Sequence, residues 1–90
     1  MRKRVDVLQA GIVKALRDAG ATVQDLHEVG RGCPDLLCGY RGLNFLLEVK
    51  SRNGRTTPRE FSFVEAWQGR VFIVHSVREA TQALGIGIGE

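Results

Sequence analysis

Glu48 and Lys50 stand two apart in the run Phe45-Leu-Leu-Glu-Val-Lys50, where the chain's chemistry is easiest to read. Side chains alternate across a strand, so Leu46, Glu48 and Lys50 share one face and Phe45, Leu47 and Val49 the other. Two opposite charges therefore sit side by side at the end of an apolar strand. Charges buried there are costly unless they are paired or bound to a metal. Taken alone, such a pair reads as a fraying strand end that faces water. A second carboxylate tilts the balance: Asp35 opens the preceding strand candidate, and Arg41-Gly42 is a short turn back. Antiparallel pairing sets the start of one strand beside the end of the next, which predicts that Asp35 lies near Glu48 and Lys50. Two carboxylates and a lysine at one point suit phosphodiester hydrolysis. Carboxylates hold hard cations such as Mg²⁺, which polarise a phosphoryl oxygen and lower the pKa of a bound water. A lysine orients or deprotonates that water, or neutralises charge developing on phosphorus. The backbone carbonyl of Val49 is a further candidate ligand.

The elements that must position these residues follow from periodicity and turn chemistry. Residues 2–19 read as a helix, with Val5, Leu8, Ile12, Ala15, Leu16 and Ala19 as its apolar stripe and Gly20 at its end. Residues 21–29 alternate loosely and predict a first strand, and Gly30-Arg31-Gly32 a turn. Residues 34–40 and 43–50 predict a β-hairpin. Ser51 to Thr57 is a polar, basic loop. Thr57, Pro58 and Glu60 form a capping-box start for a helix running to about Gln68, closed by Gly69. Residues 70–75 predict a strand covered on both faces, one covering layer being a candidate partner subunit. Ser76 caps a last helix over 77–84, with Glu79 at capping-box spacing, and the glycine-rich tail 85–89 is expected to be mobile. The order is α-β-β-β-α-β-α, an α/β class with a mixed sheet.

Composition narrows the function classes. Ninety residues allow one domain, 1–90, and such small chains often dimerise or bind a partner. The formal charge of +3 mildly favours an anionic partner such as nucleic acid. No stretch resembles a signal peptide or reaches transmembrane length, so a cytoplasmic protein is expected. Cys33 and Cys38 have no second pair or histidine at zinc-ligand spacing and read as reduced, part-buried thiols. Arg31, Arg41, Arg52, Arg55 and Arg59 are placed in loops or element ends near the predicted site. Phosphate contact is favoured for Arg52 and Arg55, with Arg31 a further DNA-binding candidate. Arg2, Lys3 and Arg4 are equally a second electrostatic arm or a plain basic terminus. His27 and His75 read as strand-end residues, and Phe63 and Trp67 as core or dimer interface before a base-stacking platform.

The segments Gly32-Cys-Pro-Asp-Leu-Leu37, Phe45-Leu-Leu-Glu-Val-Lys-Ser51, Thr57-Pro58, Trp67, Gly69 and Val71-Phe-Ile-Val-His-Ser76 resemble the VRR-NUC family of the PD-(D/E)XK nuclease superfamily. The resemblance covers nearly the whole chain. It implies a restriction-endonuclease-like core and Mg²⁺- or Mn²⁺-dependent endonuclease activity on DNA. The family's short stand-alone members, often from phages, further imply a homodimer that resolves four-way junctions (host-cell cytoplasm in the phage case). Asp35, Glu48 and Lys50 match the motif directly. The family usually carries a glutamate on the first helix; the nearest acid here is Asp6, roughly in line with Gln9 and Val13, and the resemblance makes Asp6 a second-rank metal-ligand candidate. After Thr-Pro the family commonly has a site-facing glutamine, whose place Glu60 takes. Two other readings stay open on sequence: a flap, single-strand or duplex nuclease, and a non-catalytic DNA-binding module. The intact triad weighs against the second.

Overall fold

The computed structural model describes residues 3–87. Arg2 of the basic arm and Ile88 and Gly89 of the glycine-rich tail lie outside the described residues. The elements are α1 (Lys3–Asp18), β1 (Thr22–Asp25), β2 (Leu36–Tyr40), β3 (Leu43–Val49), α2 (Pro58–Ala66), β4 (Val71–Val74) and α3 (Val77–Leu84). This is the predicted α-β-β-β-α-β-α order. The four strands form one mixed sheet in the order β1-β2-β3-β4, with β1–β2–β3 antiparallel and β4 parallel to β3.

The hairpin that frames the site is set by its turn. Arg41 and Gly42 both take positive φ, 52° and 84°, as the primed two-residue turns that match strand twist require. That turn fixes the register Tyr40↔Leu43 through Leu36↔Leu47. A one-residue slip would turn Leu36, Cys38, Phe45 and Leu47 out of the core. These side chains meet Ile12 and Leu16 of α1, Val74 of β4 and Ala80 and Leu84 of α3 in one buried cluster. The helical stripe holds where it matters, since Ile12 and Leu16 are fully buried. Ala19 falls beyond α1 and is exposed.

Three expectations are corrected. β1 stops at Asp25, four residues before the predicted end. The Asp25 carboxylate accepts the His27 N–H at 2.7 Å, and this local side-chain bond bends the chain out of the ladder. α2 ends at Ala66, with Trp67 extended at its C-cap. β4 is incompletely covered: Val74 is buried, but Phe72 is 39% exposed. Both predicted caps are present. At Thr57 the capping box is reciprocal. At α3 it is one-sided: the Ser76 hydroxyl accepts the Glu79 N–H, while the Glu79 carboxylate takes the N–H of His75 instead.

Candidate active site

At the end of the hairpin away from its turn, the two strands are joined by a side chain. Asp35 precedes β2, and its Oδ2 accepts the Val49 N–H at 2.7 Å. A carboxylate oxygen thus takes the place of a strand carbonyl as acceptor at the end of the ladder, and Asp35 is fixed against the last residue of β3. Next to it, Glu48 is 3% exposed, the one buried charged residue among those described. Lys50 places its Nζ 3.5 Å from Glu48 Oε2 and 2.7 Å from Glu60 Oε1. Glu60 also accepts the Thr57 N–H through Oε1 at 2.9 Å. One carboxylate therefore caps α2 and contacts Lys50.

Charge and burial act against each other here. Burial pushes the Glu48 carboxyl up to about 8, with the charges of Asp35 and Glu60 adding to the effect and Lys50 opposing it. Burial also works against the Lys50 ammonium, but the hydrogen bond and charge of Glu60, with Glu48, outweigh it and hold Lys50 above its ordinary value. Burial likewise opposes the Glu60 charge, which Lys50 and the Thr57 N–H restore, leaving Glu60 below the usual carboxylate range. The cluster has an excess of acid: Asp35, Glu48 and Glu60 around one lysine. A cation would relieve that repulsion. No group of three or more His, Cys, Asp or Glu side chains is arranged to hold a metal among the described residues. Two carboxylates suit Mg²⁺, which keeps several waters, and fall short of the ligand set of a structural zinc site.

The remaining predicted residues divide by place. Cys33 lies close enough to Glu48 and Asp35 for their charges, after burial itself, to push its thiol up. From sequence it reads as a reduced, part-buried thiol; its nearness to the carboxylates comes from the fold of the loop before β2. Arg31 and Arg59 line a groove beside the site with Pro58, Ser62 and Phe63. Arg52 and Arg55 are exposed in the loop after Lys50; the Glu79 carboxyl is held below its ordinary value by the His75 N–H and then its ring, with the charge of Arg52 a smaller addition. Arg41 is corrected: it occupies the hairpin turn, roughly 17 Å of strand from the site. Asp6 is exposed in the first turn of α1 and lines a separate groove with Gln9, Val13 and Asp25. Phe63 and Trp67 stack on each other at 5.0 Å, but no α2 residue is buried and Trp67 is 48% exposed, so they are not core.

With this geometry in view, comparison with known proteins supplies one point of reference. A solved structure described as a VRR_NUC domain is similar to the chain with a TM-score of 0.74 and 26% sequence identity, covering 87% of this chain and 90% of that one. No family model matches the sequence, and no curated protein sequence matches it. The similarity therefore rests on the arrangement of helices and strands.

Proposed function

We propose that the chain, whose fold is similar to that of a VRR_NUC domain, is a metal-dependent endonuclease that hydrolyses DNA phosphodiester bonds, with residues 1–90 acting as one nuclease domain. The observation that carries this reading is the convergence of Asp35, Glu48 and Lys50 at one end of the hairpin. Asp35 and Glu48 would hold Mg²⁺ or Mn²⁺. The Val49 carbonyl is a third donor in this reading, because a residue's N–H and C=O point to the same strand edge and the Val49 N–H points to Asp35. When bound, the ion supplies Lewis acidity toward the phosphoryl oxygen and a more acidic water.

The protein's own groups account for the rest. Lys50, whose ammonium Glu60 and Glu48 favour against its burial, would serve as a donor. It orients the attacking water and neutralises charge that builds on the phosphoryl oxygens during in-line displacement. Glu60 aims Lys50 from the first turn of α2. Arg31, Arg52 and Arg55 contact backbone phosphates, which positions DNA without reading its sequence. Asp6, which lines its own groove along α1, is a second-rank candidate ligand in this reading.

The finer reading is a homodimer selective for branched DNA such as a four-way junction. A two-fold dimer offers two sites related by symmetry, matching a roughly two-fold substrate. The apolar residues left exposed on and beside α2, Phe61 at 57% and Trp67 at 48%, support a covering partner. The test is cleavage of labelled four-way junction, flap and linear duplex with Mg²⁺, with EDTA, and with Lys50→Ala. Activity is expected on the junction with Mg²⁺ only, and Lys50→Ala should lower it by about a hundredfold or more. Activity that survives EDTA or the substitution removes the mechanism; equal cutting of junction and duplex removes the junction preference.

A further inference from the structure

Beside the site lies a groove of about 560 Å³ lined by Arg31, Pro58, Arg59, Ser62 and Phe63. Both of its walls run into the active site. One wall is the loop that leads through Cys33 and Pro34 to Asp35. The other is the first turn of α2, where Arg59 precedes Glu60, the partner of Lys50.

The groove's width is set by backbone and not by flexible side chains. Gly30, Arg31 and Gly32 take three consecutive left-handed conformations, with φ of 71°, 61° and 80°. Gly32 lies so near Arg59 that a Cβ there would stand 2.6 Å from the Arg59 carbonyl oxygen. Arg31 pays for its left-handed φ with strain, which persists only where the surroundings impose it. The loop and the helix are thus clamped together, and the two arginines are carried on opposite walls. The half-buried Phe63 lines the same groove, and its ring stacks on Trp67 at an interplanar angle of 15°.

Two arginines and an aromatic ring lining one groove make a mixed surface. A paired duplex presents mainly phosphate to such a groove and would leave the ring without a partner. An unstacked nucleotide supplies both halves: phosphates for the arginines and a base face for the ring. A preformed groove also lowers the ordering cost of taking up a flexible strand. From these features, and resting on the nuclease reading above, we infer that the groove receives an unpaired nucleotide of the DNA strand next to the scissile phosphate. Arg31 and Arg59 bind its flanking phosphates, and Phe63 stacks on its base. The groove makes the substrate class DNA with an unpaired or readily unpaired nucleotide at the cleavage point.

The experiment uses binding with Ca²⁺ in place of Mg²⁺, so cleavage plays no part. Matched DNAs carry one 5-iodouracil, either unpaired at a branch point or paired within duplex. Near-ultraviolet irradiation followed by peptide mass spectrometry should place the unpaired base's crosslink on Phe63, with none from the paired base. Phe63→Leu should reduce the affinity ratio of unpaired over paired DNA by about fivefold or more, the order expected for one base–aromatic stack. Ser62→Glu, which puts an acid in the groove and leaves the Phe63–Trp67 stack in place, should do the same and decides the matter if the Leu variant does not fold. A crosslink that maps outside the groove, or an unchanged ratio in the folded variants, overturns the inference. Failure of the nuclease reading would show instead in the EDTA and Lys50→Ala assays, which leave the crosslink unaffected.

Discussion

With no cation bound, the Glu48 carboxyl, pushed up to about 8 by burial and then by Asp35 and Glu60, keeps its proton near neutrality. Between its ordinary value of 4.5 and about 8, the folded chain holds a proton that the unfolded chain has released. The sign of the linkage follows: stability from this group is full below about 4.5 and is lost as pH rises toward 8. Urea denaturation in EDTA should therefore show a midpoint that falls from pH 5 to 8.5. Mg²⁺ should recover the loss at the alkaline end, because ligands bind metal deprotonated. Glu48→Gln should flatten the pH dependence and remove the Mg²⁺ effect; a midpoint that rises with pH in EDTA would contradict this account. The pairing of Glu48 with Lys50 was legible in the sequence because strand alternation is local. The approach of Cys33 to the carboxylates was not, since it depends on how a glycine loop folds back toward β3. Nor was the choice Glu79 makes between two N–H groups, where the capping pattern is satisfied in spacing but His75 offers both a backbone and a ring donor.

α2 joins stability to the site through a single residue. Thr57 caps it, Glu60 closes the box, and the same Glu60 oxygen holds Lys50. Thr57→Ala should cost about 1 kcal/mol of stability, read by thermal or urea unfolding. Cleavage should fall severalfold even where the variant is fully folded, because a frayed first turn leaves Lys50 unsteadied; Thr57→Ser should restore both. Loss of stability with unchanged cleavage would separate cap from site. The hairpin and both N-caps were readable because turn and capping residues act on their immediate neighbours. The ends of β1 and α2 were not. β1 is cut short by the Asp25–His27 bond, which competes with an otherwise acceptable strand pattern. α2 stops at Trp67, which turns extended while its ring stacks back on Phe63.

Across the whole molecule, the helices are unevenly shared. α1 and α3 cover one sheet face and close the core, while α2 buries none of its residues. The exposed Phe61 and Trp67 leave apolar area that a second copy of the chain would cover in the proposed dimer. Sedimentation velocity should give a mass near twice the 9.9 kDa of one chain. Phe61→Lys should shift it toward one chain while leaving the unfolding profile of the core nearly unchanged. A wild-type chain that sediments as a monomer at micromolar concentration would remove the two-site picture of junction cleavage. Fold class and the order of elements along the chain could be read from the sequence because periodicity reports which face of each element is apolar. What covers α2 could not, because a ring that packs within a chain and one that packs between chains leave the same pattern.

The bond from the Val49 N–H to Asp35 gives one side chain two separate duties. A lineage that gave up cutting by losing this acid would also open the last rung of its hairpin. Asp35→Asn retains an oxygen to accept that N–H, whereas Asp35→Ala does not. Inactive descendants of such a chain would therefore be expected to keep asparagine there, or to rebuild the strand end by other means.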